Sequence, residues 1–146
     1  VATLKGGDKL EAALRAIAQK VSKPGTLRAG FLENATYPDG TPVALVAAAN
    51  EFGTKRIPAR PFFRNMIAEK SDEWAPAIGH LLPQNDYDAP KVLALVGEAI
   101  KGQVQQSIRD TNQPPLSPVT IAKKGFDKVL IDTANMIMSV GSEVKE

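Results

Sequence analysis

The chain has no cysteine and only one histidine, His80, in 146 residues. The first absence excludes a disulfide framework and any thiolate metal site. The second excludes a histidine-based metal cluster and leaves His80 as the sole base for a Ser-His-Asp set. His80 stands in "IGHLLP" at a predicted helix end, where a structural role is the simpler reading. Asp86 and Asp88 in "NDYD" do not continue into a calcium loop, and Gly6-Gly7 lacks the rest of a phosphate-binding pattern. No cofactor is expected. The longest strongly apolar run, "PVALVAAA", is far short of the roughly 20 residues that cross a bilayer, so no membrane partner is expected. Charge of one sign is also scarce: 18 Lys and Arg stand against 16 Asp and Glu, an excess too small to mark a nucleic-acid binder by itself.

What is present is a globular composition, 43% apolar and 23% charged, at a length that suits one domain over residues 1–146. The first residues, "VATLKGGDKLEAAL", lack the apolar core and cleavage site of a secretory signal, which predicts synthesis in the cytoplasm.

"GGDKLEAALRAIAQKVSKPG" predicts an amphipathic helix, with Asp8 as cap and Leu10, Leu14, Ile17 and Val21 on one face, ended by Pro24 and Gly25. "TLRAGFLENATY" alternates Leu27, Ala29 and Phe31 as a half-buried strand would, and "YPDGTP" is a turn leading to a hairpin or to a helix. "VALVAAANEFG" predicts a short buried helix ended by Gly53. Pro58 and Pro61 hold "TKRIPAR" extended, and Pro61 suits the first turn of "PFFRNMIAEK". A second helix start is expected at Ser71 in "SDEW", and "LLPQNDYDAP" is expected to be a loop. The strongest periodicity lies near 89–110, where Val92, Val96, Ile100, Val104 and Ile108 recur every fourth residue. Gly97 and Gly102 interrupt that helix and would permit close packing of another backbone. Ser117 opens a short helix ending at Gly125, Asp132 or Thr133 caps a last helix from Ala134, and "SVGSEVKE" reads as a strand. The order predicts an α+β fold, a small antiparallel sheet packed against several helices.

Two stretches invite a functional reading. "NEFGTKRIPARPFFRNMI" puts Lys55, Arg56, Arg60 and Arg64 beside three of the five phenylalanines. With a second basic cluster at Lys123, Lys124 and Lys128, it offers a nucleic-acid-binding alternative in which Lys55, Arg56, Lys123 and Lys124 face DNA and the aromatics stack on bases. Adjacent Phe62 and Phe63 on a helix favour burial of at least one in the core or in a partner. "LIDTA" resembles the active-site motif of dimeric aspartic proteases, centred here on Asp132, although that fold is nearly all strand and this chain reads as mostly helix.

Read together, "NEFGTKRIPARPFFRNMI" and "PPLSPVTIAKKGFDKVLIDTANMIMSV" resemble the two signatures of the tail-completion or putative tail-component proteins of long-tailed bacteriophages, a group overlapping the phage virion-morphogenesis proteins. Val129 and Ala134 depart from the proline and glycine usual in the second signature. The resemblance implies a non-enzymatic virion protein of the tail or neck that joins the tail to the capsid, sixfold in a ring. It implies as partners further copies of itself, the neighbouring terminator, connector or stopper and tail-tube proteins, and passive contact with packaged DNA. A ring needs two different patches that meet. Interface centres favour aromatics, Met and Arg, so the expected interface residues are Phe52, Ile57, Pro58, Arg60, Pro61, Phe62, Phe63, Arg64 and Met66. The proline-stiffened arm would lie across a neighbour.

Overall fold

The computed structural model describes residues 5–23, 25–111, 122 and 135–146. Among them the chain runs α1 (Gly7–Val21), β1 (Thr26–Phe31), α2 (Val43–Phe52), α3 (Phe62–Gln84), α4 (Ala89–Asp110), α5 (Asn135–Met138) and β2 (Val140–Lys145). This is an α+β fold. Its sheet has two antiparallel strands, in register from Thr26 opposite Lys145 to Phe31 opposite Val140.

Helix α4 is the centre of the packing, against α3 and both strands. Asp88 caps it, its carboxylate accepting from the Lys91 N–H at 3.2 Å, and Pro90 follows in the first turn. The residues repeating every fourth position, Val92 through Ile108, are all buried. Met66 and Phe62 of α3, Val43 and Ala47 of α2, and Met136, Ile137 and Val140 complete the core. Leu27, Ala29 and Phe31 of β1 pack onto it from one face, as their alternation predicts. Gly97 is where the sheet crosses α4: a Cβ there would come within 2.6 Å of Leu27 Cδ1 and 3.1 Å of Ser142 Cβ. Gly102 has no such neighbour, so the close approach expected at both glycines occurs at one.

Strand β1 stops at Phe31 and does not extend toward Tyr37. Asn34 turns the chain with φ 79°, and "YPDGTP" closes on itself through Tyr37 N–H to Thr41 O at 2.8 Å and Thr41 N–H to the Asp39 carboxylate at 2.9 Å. The turn feeds directly into α2.

Three local expectations are corrected. Asp8 is not the cap of α1; the N-cap is Gly6, in a left-handed conformation with no side-chain bond, and Asp8 lies in the first turn, where its charge suits the helix dipole. Ser71 starts no helix, because α3 continues through it and through Pro76 and Pro83. Tertiary packing overrides those signals: Trp74, Ile78, Leu81 and Leu82 pack on the core, and the Trp74 indole N–H donates to Gln103 Oε1 at 2.9 Å. Leu81 to Gln84 are therefore helical, and the connection to α4 shrinks to a tight turn in which Asp86 and Tyr87 have φ 53° and 55°. Helix α1 is amphipathic as its spacing predicts, and it buries no residue. Ser117, Asp132, Thr133 and the cluster Lys123, Lys124 and Lys128 lie outside the described residues, as do Val129 and Ala134. Among the described residues no helix is long and apolar enough to cross a membrane.

Candidate functional site

The quoted stretch from Asn50 to Ile67 becomes a closed junction between α2 and α3. Helix α2 ends at Gly53, whose φ is 75°; a Cβ there would sit 2.8 Å from Ala59 N and 3.0 Å from Ile57 O. Only glycine satisfies both the left-handed dihedral and that close approach. Thr54 then folds the chain tightly. Its N–H donates to Ile57 O at 2.7 Å, and its hydroxyl accepts from the N–H groups of Arg56 and Ile57 at 3.2 and 3.0 Å. The Arg60 N–H returns to Asn50 O at 2.6 Å. The segment expected as an extended arm is thus a compact loop, because a threonine side chain can satisfy local backbone donors that an extended chain would leave to solvent.

Glu51 holds this junction together. Only 6% exposed, its carboxylate accepts from the N–H groups of Phe63 and Arg64 at 2.9 and 3.1 Å and from Arg64 Nε at 2.8 Å. Helix α3 has no side-chain cap at Pro61, so Glu51 supplies from α2 the acceptor that the first turn needs. Arg64 also donates to Glu51 O at 3.0 Å, and its guanidinium carbon lies 5.0 Å from the centre of the Phe52 ring. An arginine bonded to a carboxylate and stacked on an aromatic is held in one pose. Arg60, 6% exposed, has its pKa pushed below the usual guanidinium range by burial, and it stays cationic at neutral pH.

The aromatics divide. Phe62, 1% exposed, meets Phe31 edge-to-face with centroids 6.1 Å apart, while half-buried Phe63 meets Phe62 in the same manner at 6.3 Å. Phe52 points outward and is 67% exposed. Between β1, α2 and the start of α3 they border an apolar groove of about 320 Å³, lined by Ala29, Gly30, Phe31, Ala44, Ala47, Ala48, Phe52, Phe62 and Phe63 together with the paired Glu51 and Arg64. Exposed Leu45 on α2 extends the apolar surface near it.

The expected interface residues therefore separate. Phe52, Ile57, Pro58 and Arg64 are exposed, and Pro61 and Phe63 are half-buried. Phe62, Met66 and Arg60 are buried in the chain's own fold, where a neighbour cannot reach them, which corrects their assignment to a surface. Lys55 and Arg56 are exposed on the loop, whereas Arg64 is engaged by Glu51. Among the described residues no group of three or more His, Cys, Asp or Glu side chains is placed to hold a metal. Three larger hollows, one between α3 and α4, one beside the α3–α4 turn and one bordered by Arg28, Glu33, Asn34 and Glu143, are lined mainly by polar side chains.

Sequence reasoning missed Glu51. The available signal is that it is the only carboxylate between Asp39 and Glu69 and closes an otherwise apolar helix. Compared with models of known protein families, with curated proteins and with solved structures, the chain finds no match.

Proposed function

We propose that the chain is a structural subunit of a bacteriophage neck or tail-completion assembly, a ring component that carries no catalysis and joins the tail to the capsid. The resemblance of its two signature stretches to tail-completion proteins supplies the class. One structural observation carries the assembly role: exposed Phe52, with Arg64 stacked on it and Arg64 anchored by Glu51, stands at the lip of an apolar groove. Aromatic and arginine side chains fixed before binding lose little entropy on docking, and such pairs dominate binding energy at interface centres. The conspicuous phenylalanine and arginine content of residues 50–67 thus has two uses, a core anchor at Phe62 and a docking anchor at Phe52.

Phe52→Ala is the test. Removing an exposed ring whose main partner is the Arg64 guanidinium should cost no more than about 1 kcal/mol of fold stability, so the variant should stay folded with at most a small drop in melting temperature. Self-assembly, followed by light scattering and electron imaging, should be lost, and virions built with the variant should lack joined tails. Assembly equal to that of the unaltered chain would overturn the reading, as would virions in which the chain is absent from the head-proximal end of the tail.

A further inference from the structure

Asp39 and Gly40 form the only aspartyl–glycyl pair in the chain, and no asparagine precedes a glycine. Such a pair carries a reaction of its own. The nitrogen of the second residue can attack the aspartate side-chain carbonyl, and before glycine no Cβ obstructs that approach. Both residues are exposed at the tip of the loop between β1 and α2, and a Cβ on Gly40 would meet no atom within 4 Å. Space for the five-membered ring is therefore open. The fold opposes the reaction in another way. The Gly40 N–H donates to Tyr37 O at 2.9 Å, which engages the attacking nitrogen, and the Asp39 carboxylate accepts from the Thr41 N–H at 2.9 Å. That second bond, foremost, holds the carboxyl below its usual range and so in the ionised form, which gives up an oxygen far less readily than the neutral acid. Both reacting groups are occupied while the turn is closed.

We propose that Asp39–Gly40 is a self-modification site, at which the backbone isomerises to isoaspartate whenever the turn opens. In the first step Gly40 N bonds to Asp39 Cγ, and the N–H proton leaves with the carboxyl hydroxyl as water, giving a cyclic imide. Water then adds to one of the two imide carbonyls. Opening at Cγ restores aspartate, whereas opening at the main-chain carbonyl leaves the chain running through Cβ and Cγ with no net change of mass. The product has one more main-chain carbon. That carbon disturbs the register of Tyr37 with Thr41 and of Thr36 with Pro42, and beyond them the bond from the Val43 N–H to Ala35 O at 2.9 Å. Val43 is the first residue of α2 and is fully buried. Isomerised copies are thus altered at the base of the helix that carries Glu51 and Phe52.

The test ages the unaltered chain at neutral pH, once folded and once in concentrated urea, and locates isoaspartate by electron-transfer fragmentation of its peptides. In urea, isoaspartate should accumulate at residue 39 several-fold faster than at any other aspartate, and several-fold faster than at residue 39 of the folded chain. Asp39→Glu, whose longer side chain would have to close a six-membered ring, should show no isomerisation at that position. Isomerised chain, separated by chromatography and returned to folding conditions, should melt at a lower temperature than unmodified chain treated in the same way. Absence of isoaspartate at residue 39 in urea, or equal accumulation at the other aspartates, would overturn the site. Equal rates in the folded chain and in urea would overturn the restraint by the turn, and equal melting temperatures would overturn the effect on α2.

Discussion

Helices α1 and α4 carry the same kind of signal and meet opposite fates. Each repeats aliphatic side chains at helical spacing, Leu10, Leu14, Ile17 and Val21 in one and Val92, Val96, Ile100, Val104 and Ile108 in the other. In α4 the stripe is the core of the fold, with Val92, Val104 and Ile108 at 0% exposure. In α1 no residue is buried. Periodicity states that a face seeks cover; it does not state which molecule provides it. The two helices differ in their polar neighbours. α4 lies between α3 and the sheet with Gly97 opening room for Leu27 and Ser142, whereas α1 is attached through Lys20 and Asp86 on its polar side.

Substitution should separate the two stripes. Ile108→Ala should cost about 2–5 kcal/mol in denaturant unfolding, the range for truncating a buried aliphatic side chain. Leu14→Ala should stay within about 0.5 kcal/mol of the unaltered chain. Equal losses would show that α1 is part of the same core. The glycines of α4 sharpen the comparison within one helix. Gly97→Ala should cost about 1–3 kcal/mol by overpacking against Leu27 and β2. Gly102→Ala, with open space around it, should gain about 0.5–1 kcal/mol from helix propensity.

The smallest effect expected is electrostatic. Ser142 on β2 donates to Glu98 on α4 at 3.0 Å, and Lys101 donates at 3.3 Å. The Ser142 hydrogen bond first, then Lys101, holds the Glu98 carboxyl below its usual range. A carboxyl depressed in the folded state stabilises the fold above its unfolded pKa, and that contribution is lost as pH falls through the folded value. Ser142→Ala should move the Glu98 titration, followed by NMR, upward toward the ordinary range. An unchanged titration would mean that the strand does not reach the helix at this point.

The elements most legible in the sequence are those whose determinants are local. The α4 stripe, the alternation of Leu27, Ala29 and Phe31, the Pro38-Asp39-Gly40 turn and Gly53 at the end of α2 each declare themselves within a few residues. Illegible features depend on distance. Glu51 caps a helix whose N–H groups lie 12 and 13 positions downstream, so no capping motif could contain it. Ser71 suggested a helix start, yet packing through Trp74, Ile78 and Leu81 carries α3 straight through it and through Pro76, against a penalty of about 3 kcal/mol for the proline. The proposed docking surface was half legible: the phenylalanines and arginines of residues 50–67 stood out, but which of them turned inward needed the positions of β1 and α4.

The pairing of β1 with β2 sets the timetable of folding. Thr26 meets Lys145 and Phe31 meets Val140, so the sheet joins segments roughly 110 to 120 positions apart in the sequence. By the time β2 leaves the ribosome, β1 and helices α2 to α4 have all been synthesised, and closing so long a loop is the slow kind of contact. Until then β1 lacks its partner strand and Gly97 lacks Ser142, one of the side chains that its open space admits. Strand β2 therefore acts as a latch, and β1 gains its partner only when synthesis has passed Lys145.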